Sequence, residues 1–164
     1  MKYYTSDVVY NEFYPKGVEP VEPNITALLN PDGLKWKSLI TQGIELPTPW
    51  EKEVYDSTDL AYQKIRHELN KKIAEMKRSG ASDAETAKAE EESEKLSWSY
   101  ALEMDSCLQH SRYRNQVGAF EGAGYASKGL YRSMLDCLMF SKGNKPFCKV
   151  CERAVVNVIK HYTE

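Results

Sequence analysis

The chain has 164 residues, 28% charged and 41% hydrophobic, with a net charge of −2. That length suits one domain, which would bury roughly two-thirds of the unfolded chain's surface. The near-balance of charge gives no electrostatic drive toward nucleic acid or an anionic membrane, no apolar run approaches the ~20 residues a membrane span needs, and no signal peptide is visible.

Residues 1–50 read as an irregular segment rich in aromatics and proline. Pro15, Gly17, Pro20 and Pro23 stand among Tyr3, Tyr4, Tyr10, Phe13 and Tyr14. Proline removes backbone donors and restricts its predecessor, so an extended path is expected here. The aromatics have two readings: packing on this chain's own helices, or facing a further N-terminal half. Asn24-Ile25-Thr26 matches a glycosylation sequon by pattern, but we read Asn24 as a local hydrogen-bonding residue in a turn. Asn30-Pro31-Asp32-Gly33 is a turn signal within Leu28–Ile40, where Trp36, Leu39 and Ile40 give a short apolar face. Pro47-Thr48-Pro49-Trp50 breaks the chain again, with Thr48 or Pro49 at the start of the next helix.

Residues 51–115 read as a charged helical hairpin. In Glu51–Ser79 the apolar residues Tyr62, Ile65, Leu69, Ile73 and Met76 recur every three or four positions, one stripe of a helix. Ser79-Gly80 ends it, and Ser82 with Glu85 forms a capping box for a second helix. The inner face of that helix is assigned to Ala84, Ala87, Glu91, Glu94, Trp98, Ala101, Asp105 and Leu108. His67-Glu68-Leu69-Asn70-Lys71 opens like a zinc motif, but Lys71 stands where the second histidine belongs, and a protonated lysine has no lone pair to donate. His110 and His161 are isolated.

Residues 116–164 carry most of the chemistry-bearing types. Val117–Arg153 holds glycines at 118, 122, 124 and 129, three of the four cysteines, and the aromatics Phe120, Tyr125 and Tyr131 without a simple helical or strand period. We expect an ordered, partly buried loop region, with the glycines supplying backbone conformations a side chain forbids. Cys148 or Lys149 opens a last helix to about Tyr162, with Val150, Ala154, Val155, Val158, Ile159 and Tyr162 as its buried stripe. Glu121 either accepts backbone N–H groups or faces a cleft. Arg132 pairs with Glu121 or Asp136, or binds a substrate carboxylate. Cys148-Lys149-Val150-Cys151 leaves several readings open. These are a redox pair at a helix start, a structural zinc site of Cys137, Cys148 and Cys151 with Cys107 or His110, free thiols, and a disulfide from Cys137 to Cys148 or Cys151. The disulfide is the foremost.

The segments G-A-F-E-G-A-G-Y-A-S-K-G-L-Y-R, D-C-L-M-F and F-C-K-V-C-E-R-A-V resemble the C-terminal signature of the bacterial IgA-peptidase family of zinc metallopeptidases. Y-Y-T-S-D-V-V-Y-N-E-F-Y-P, E-P-N-I-T and L-K-W-K resemble the segment that follows that family's zinc-binding helix. The resemblance implies a metzincin-like peptidase that hydrolyses peptide bonds in proteins through zinc held by His-Glu-x-x-His, a motif this chain lacks. It further implies a C-terminal subdomain of a zincin-like fold and a secreted or cell-envelope location. The partners implied are a protein or peptide substrate and an N-terminal catalytic half, and zinc belongs to the complete parent enzyme rather than to this chain alone. Asp136–Phe140 then corresponds to the tight turn that sets a methionine, here Met139, beneath the metal as a floor without binding it. The position two residues on, where some metzincins carry a tyrosine, is Ser141, so Tyr131 or Tyr125 would have to supply a phenol.

The resulting expectation is a mainly α fold with long irregular segments: a helical hairpin and a C-terminal helix around a glycine-rich, cysteine-pinned loop region. Its function is that of a peptidase's C-terminal portion, inactive alone. The alternatives are a stand-alone helical interaction module with a structural cysteine metal site, or a non-catalytic peptidase homologue.

Overall fold

The computed structural model describes residues 14–140 and 145–163. Tyr3, Tyr4, Tyr10, Phe13 and Ser141 lie outside them, and so do the readings placed on them. The chain forms two compact units, Glu53–His110 and the remainder, Met1–Lys52 with Ser111–Glu164.

The first of these is the helical hairpin. Helix α1 runs Lys52–Arg78 and helix α2 runs Asp83–His110. The boundary signals act as read: Glu85 N–H donates to Ser82 Oγ at 3.3 Å and Ser82 N–H to the Glu85 carboxylate at 3.1 Å, which satisfies donors that a helix start leaves orphaned. The helices are antiparallel, since Lys77 pairs with Glu90 near the tip, and Tyr62 stacks on Tyr100 further back with centroids 3.8 Å apart. Tyr62 also bonds Ser97 at 2.7 Å, and the Tyr100 hydroxyl donates to the Asp59 carboxylate. Burial first, and then that hydrogen bond, raise the Tyr100 pKa.

The face assigned to α2 is corrected. Its buried residues are Thr86, Ala89, Met104 and Leu108, whereas Ala84, Ala87, Glu91 and Glu94 are exposed and Trp98 is 69% exposed. A large aromatic pulled the assigned stripe off the true one, whose buried residues are small in the first half of the helix (Thr86, Ala89) and large in the second (Met104, Leu108). On α1, Tyr62 is buried as expected but Ile65 is exposed.

The other unit is built on a three-stranded antiparallel sheet in the order β1-β3-β2. Its strands are β1 (Ile25–Thr26), β2 (Phe120–Ala123) and β3 (Ala126–Arg132). This corrects the expectation of a loop region without strand period. Tiny residues (Ala123, Ala126, Gly129) and a register shift between Glu121 and Ala123 hide the alternation. Gly124 and Tyr125, with φ of 57° and 63°, form the two-residue turn between β2 and β3. Positive φ at both positions is the turn geometry that matches strand twist.

Val117, Ala119 and Phe120 are fully buried, and the backbone groups around them are paired. Gly118 N–H donates to Ser133 O at 2.9 Å, Thr41 N–H to Val117 O at 3.0 Å and Thr48 N–H to Ala119 O at 2.8 Å. Thr48 is therefore not a helix start. It is buried, and its hydroxyl accepts from Ala119 N–H at 3.0 Å. Trp36, wholly buried, donates Nε1–H to Gly118 O at 2.7 Å.

One core cluster gathers Leu34, Trp36, Val117, Met134, Cys137, Cys148, Val150 and Cys151. A second gathers Ile25, Ala27, Ala123, Ala126 and Leu130 under Tyr14. Asn24 and Thr26 are buried beside the second cluster's strand, a poor setting for a glycan. Lys35 ties the irregular segment together, donating Nζ–H to the carbonyls of Pro20, Glu22 and Ile25.

Helix α3 spans Lys149–Thr163. Its expected stripe is corrected in part: Val150 is buried with Cys151, but Val155, Val158, Ile159 and Tyr162 are exposed. The amphipathic pattern is real, and only the first turn of the helix reaches the core. Arg153 docks it by donating to Ser38 Oγ at 2.6 Å and Lys35 O at 3.3 Å.

Two predictions follow from this packing. A Cβ on Gly118 would press into Thr48 Oγ1, Ile44 Cδ1 and the Phe120 ring, so Gly118→Ala is expected to cost about 1–3 kcal/mol by overpacking, read by denaturant unfolding; an unchanged midpoint would contradict this packing. The second concerns Tyr14. Burial, and next the hydrogen bond to the Glu22 carboxylate, push its phenol up to about 12. A folded pKa above the unfolded value of about 10 gives stability that is complete below pH ~10 and lost as pH rises toward ~12. Tyr14→Phe should therefore flatten the alkaline fall of stability, and an identical fall in both proteins would count against this environment.

Candidate functional site

The site grows from the place where β3 leaves the sheet. Ser133, wholly buried, and Met134 and Leu135, nearly so, carry the chain into the core. Asp136 then stops it: Oδ1 accepts Cys137 N–H at 3.0 Å, and Oδ2 pairs with Lys145 Nζ at 2.8 Å. A tight turn follows, closed by Phe140 N–H donating to Cys137 O at 2.9 Å, and Leu138 N–H donates to Pro146 O at 3.1 Å. The D-C-L-M-F segment is thus a turn. Its second member, Cys137, faces the core at 2% exposure, and Met139 near its apex is 61% exposed.

Three thiols meet beneath that turn. The Sγ atoms of Cys137, Cys148 and Cys151 all lie within 4.8 Å of one another, and Cys137 and Cys151 are 3.7 Å apart. All three are free and buried, so the expected disulfide is not formed here. Backbone donors point at two of the sulfurs: Cys148 N–H to Cys137 Sγ at 3.1 Å and Cys151 N–H to Cys148 Sγ at 3.5 Å. Hydrogen bonds from the Cys137 and Cys151 thiols hold the Cys148 pKa far below the usual thiol range. The same contacts push Cys137 and Cys151 up, through the bond with Cys148 for the former and with Cys137 for the latter. Cys107 lies on α2 in the hairpin unit and is half-buried.

The other singled-out residues sit on the sheet. Glu121 is opposite Tyr131, and its Oε1 accepts Gly129 N–H at 2.9 Å across the β2–β3 pair. Tyr131 lies in the central strand, between Glu121 and Thr26. Tyr125 is at the hairpin tip, 81% exposed. The Arg132 guanidinium lies over Trp50 and Phe140, 5.0 and 5.7 Å from the ring centroids. Trp50 in turn donates Nε1–H to Glu121 O at 3.1 Å. Sequence reasoning missed Ser133, whose Oγ is 3.5 Å from Cys148 Sγ, and the Lys145 partner of Asp136. Neither carries a local signal, because each contact joins positions separated by a turn.

Among the described residues, the side chains placed to share one metal ion are these three cysteines. His67, His110 and His161 stand on three different helices. The described residues therefore do not fit the histidine-based catalytic zinc that the resemblance implies. No helix among them is long and apolar enough to cross a membrane.

No curated protein matches the chain. The family model described as IgA Peptidase M64 matches residues 1–159. With nearly its whole length covered, the chain belongs to the IgA peptidase M64 family.

Proposed function

We propose that this chain is the C-terminal portion of a zinc-dependent, protein-hydrolysing peptidase, the C-terminal subdomain of a zincin-like fold, and that it has no peptidase activity alone. The observation that carries the reading is the Asp136–Phe140 turn, which buries Cys137 and leaves Met139 outward. An exposed methionine on a turn fixed at both ends is a surface suited to be covered. In this reading Met139 is the floor of the metal centre, a segment bearing His-Glu-x-x-His lies over it, and zinc belongs to that segment. Residues 1–164 form one domain, with 1–50 and 116–164 as its body and the 51–115 hairpin as an elaboration. Secretion or attachment to the cell envelope goes with the same reading, as does a protein or peptide substrate.

Of the two phenols considered, Tyr125 suits a cleft wall better than Tyr131, because it projects at a hairpin tip while Tyr131 is flanked by strands on both sides. Glu121 serves the scaffold by holding Gly129 N–H. The exposed apolar face of α3 and exposed Trp98 favour a second reading, a stand-alone helical interaction module.

The purified chain, supplied with zinc and an unstructured protein substrate, is expected to release no peptides, with or without a chelator. Chelator-sensitive cleavage by the chain alone would overturn the proposal. In a full-length product carrying the zinc-ligand helix, Tyr125→Ala should raise KM severalfold with kcat unchanged, the mark of lost uniform binding. An unaltered KM removes Tyr125 from the cleft, and a full-length product without activity leaves the interaction module as the better account.

A further inference from the structure

We propose that Cys137, Cys148 and Cys151 form a structural binding site for one thiophilic d10 cation, with zinc as the ion, separate from the peptidase metal. Three observations carry it. The first is number and spacing. A disulfide would use two sulfurs and strand the third, yet all three lie within 4.8 Å of one another. Zinc–sulfur bonds of about 2.3 Å place tetrahedral ligands about 3.8 Å apart, and Cys137 and Cys151 stand at 3.7 Å. The remaining sulfurs need only small side-chain rotations to close on a common centre.

The second is the environment. Thiolates, not thiols, bind metal, and a buried thiolate needs donors. Cys137 and Cys148 each accept a backbone N–H, and Cys148 immediately precedes α3, so the helix's positive end faces the cluster. One divalent zinc held by three thiolates carries one net negative charge, which that helix end favours. A fourth, neutral oxygen donor is at hand in Ser133 Oγ, fully buried and 3.5 Å from Cys148 Sγ.

The third is what the site joins. It lies in the core cluster with Leu34, Trp36, Met134 and Val150. Its ligands come from the turn after β3 and from the start of α3, parts that share no regular backbone ladder. A metal there fixes elements that a three-stranded sheet and one buried helical turn hold only weakly.

The test uses the 164-residue chain purified anaerobically with zinc, and in parallel without reductant. The expected result is one zinc per chain by elemental analysis, with Cys107 reacting at once with a thiol reagent and the other three protected until the zinc is stripped. Cobalt substitution should give a sulfur-to-cobalt charge-transfer band and tetrahedral visible absorption. Cys151→Ser should abolish the band and Cys107→Ser should keep it. If Cys151→Ser does not fold, the cobalt spectrum and thiol count of the unaltered chain decide. Metal-free protein lighter by two hydrogens, with peptide mapping joining Cys137 to Cys148 or Cys151, would overturn the site. So would four thiols reacting alike with zinc present. Neither outcome bears on peptidase activity, so the two proposals fail separately.

Discussion

The constraint on which this fold turns is the burial of three cysteine sulfurs against Trp36. The sheet is small, α3 is buried only over its first turn, and residues 14–50 hold little regular structure. What gives these parts a common interior is the layer in which Trp36 donates to Gly118 O on one side while Val117, Met134 and the cysteines pack together on the other. A buried indole contributes area and one directed bond. The cysteines contribute little area, but their sulfurs accept backbone N–H groups that α3 would otherwise leave unpaired.

From that layer the outward features follow. Because Cys137 is held inside and Pro146 O receives Leu138 N–H, the turn between them has little freedom to fold inward, and Met139 stays at the surface. Because Glu121 holds Gly129 and Trp50 holds Glu121 O, the β2–β3 hairpin is stiff at its base and presents Tyr125 at its tip. Arg132, over Trp50 and Phe140, links the sheet to the far end of the same turn. The exposed groups are thus fixed by buried ones.

The sequence was most legible where the physics is local. The capping box at Ser82 and Glu85, the glycine after α1, and the opening of α3 near Cys148 are set by neighbours a few residues away. The three helices and a mainly helical composition followed from them. The inner face of α2 was misjudged in its first half because Trp98 dominates any hydrophobic count, while the residues buried there are the small Thr86 and Ala89; Leu108 was placed correctly. The hairpin was hidden for a different reason: its turn is Gly-Tyr instead of a familiar Asn-Gly, and its strands use alanine and glycine where alternation is normally read. The cysteines were recognised as a group, but spacing alone could not place three sulfurs within reach of each other or reveal Ser133 beside them. The family, by contrast, was legible in the residues of that same region.

The central claim is that Met139 forms a floor awaiting a covering segment, and methionine footprinting tests it most directly. Brief treatment with dilute peroxide, followed by mass spectrometry, should oxidise Met139 readily in this chain, while buried Met104 and Met134 remain slow. In a full-length product that includes the zinc-ligand helix, Met139 should become as protected as those two. Equal and rapid oxidation of Met139 in both proteins would contradict the account.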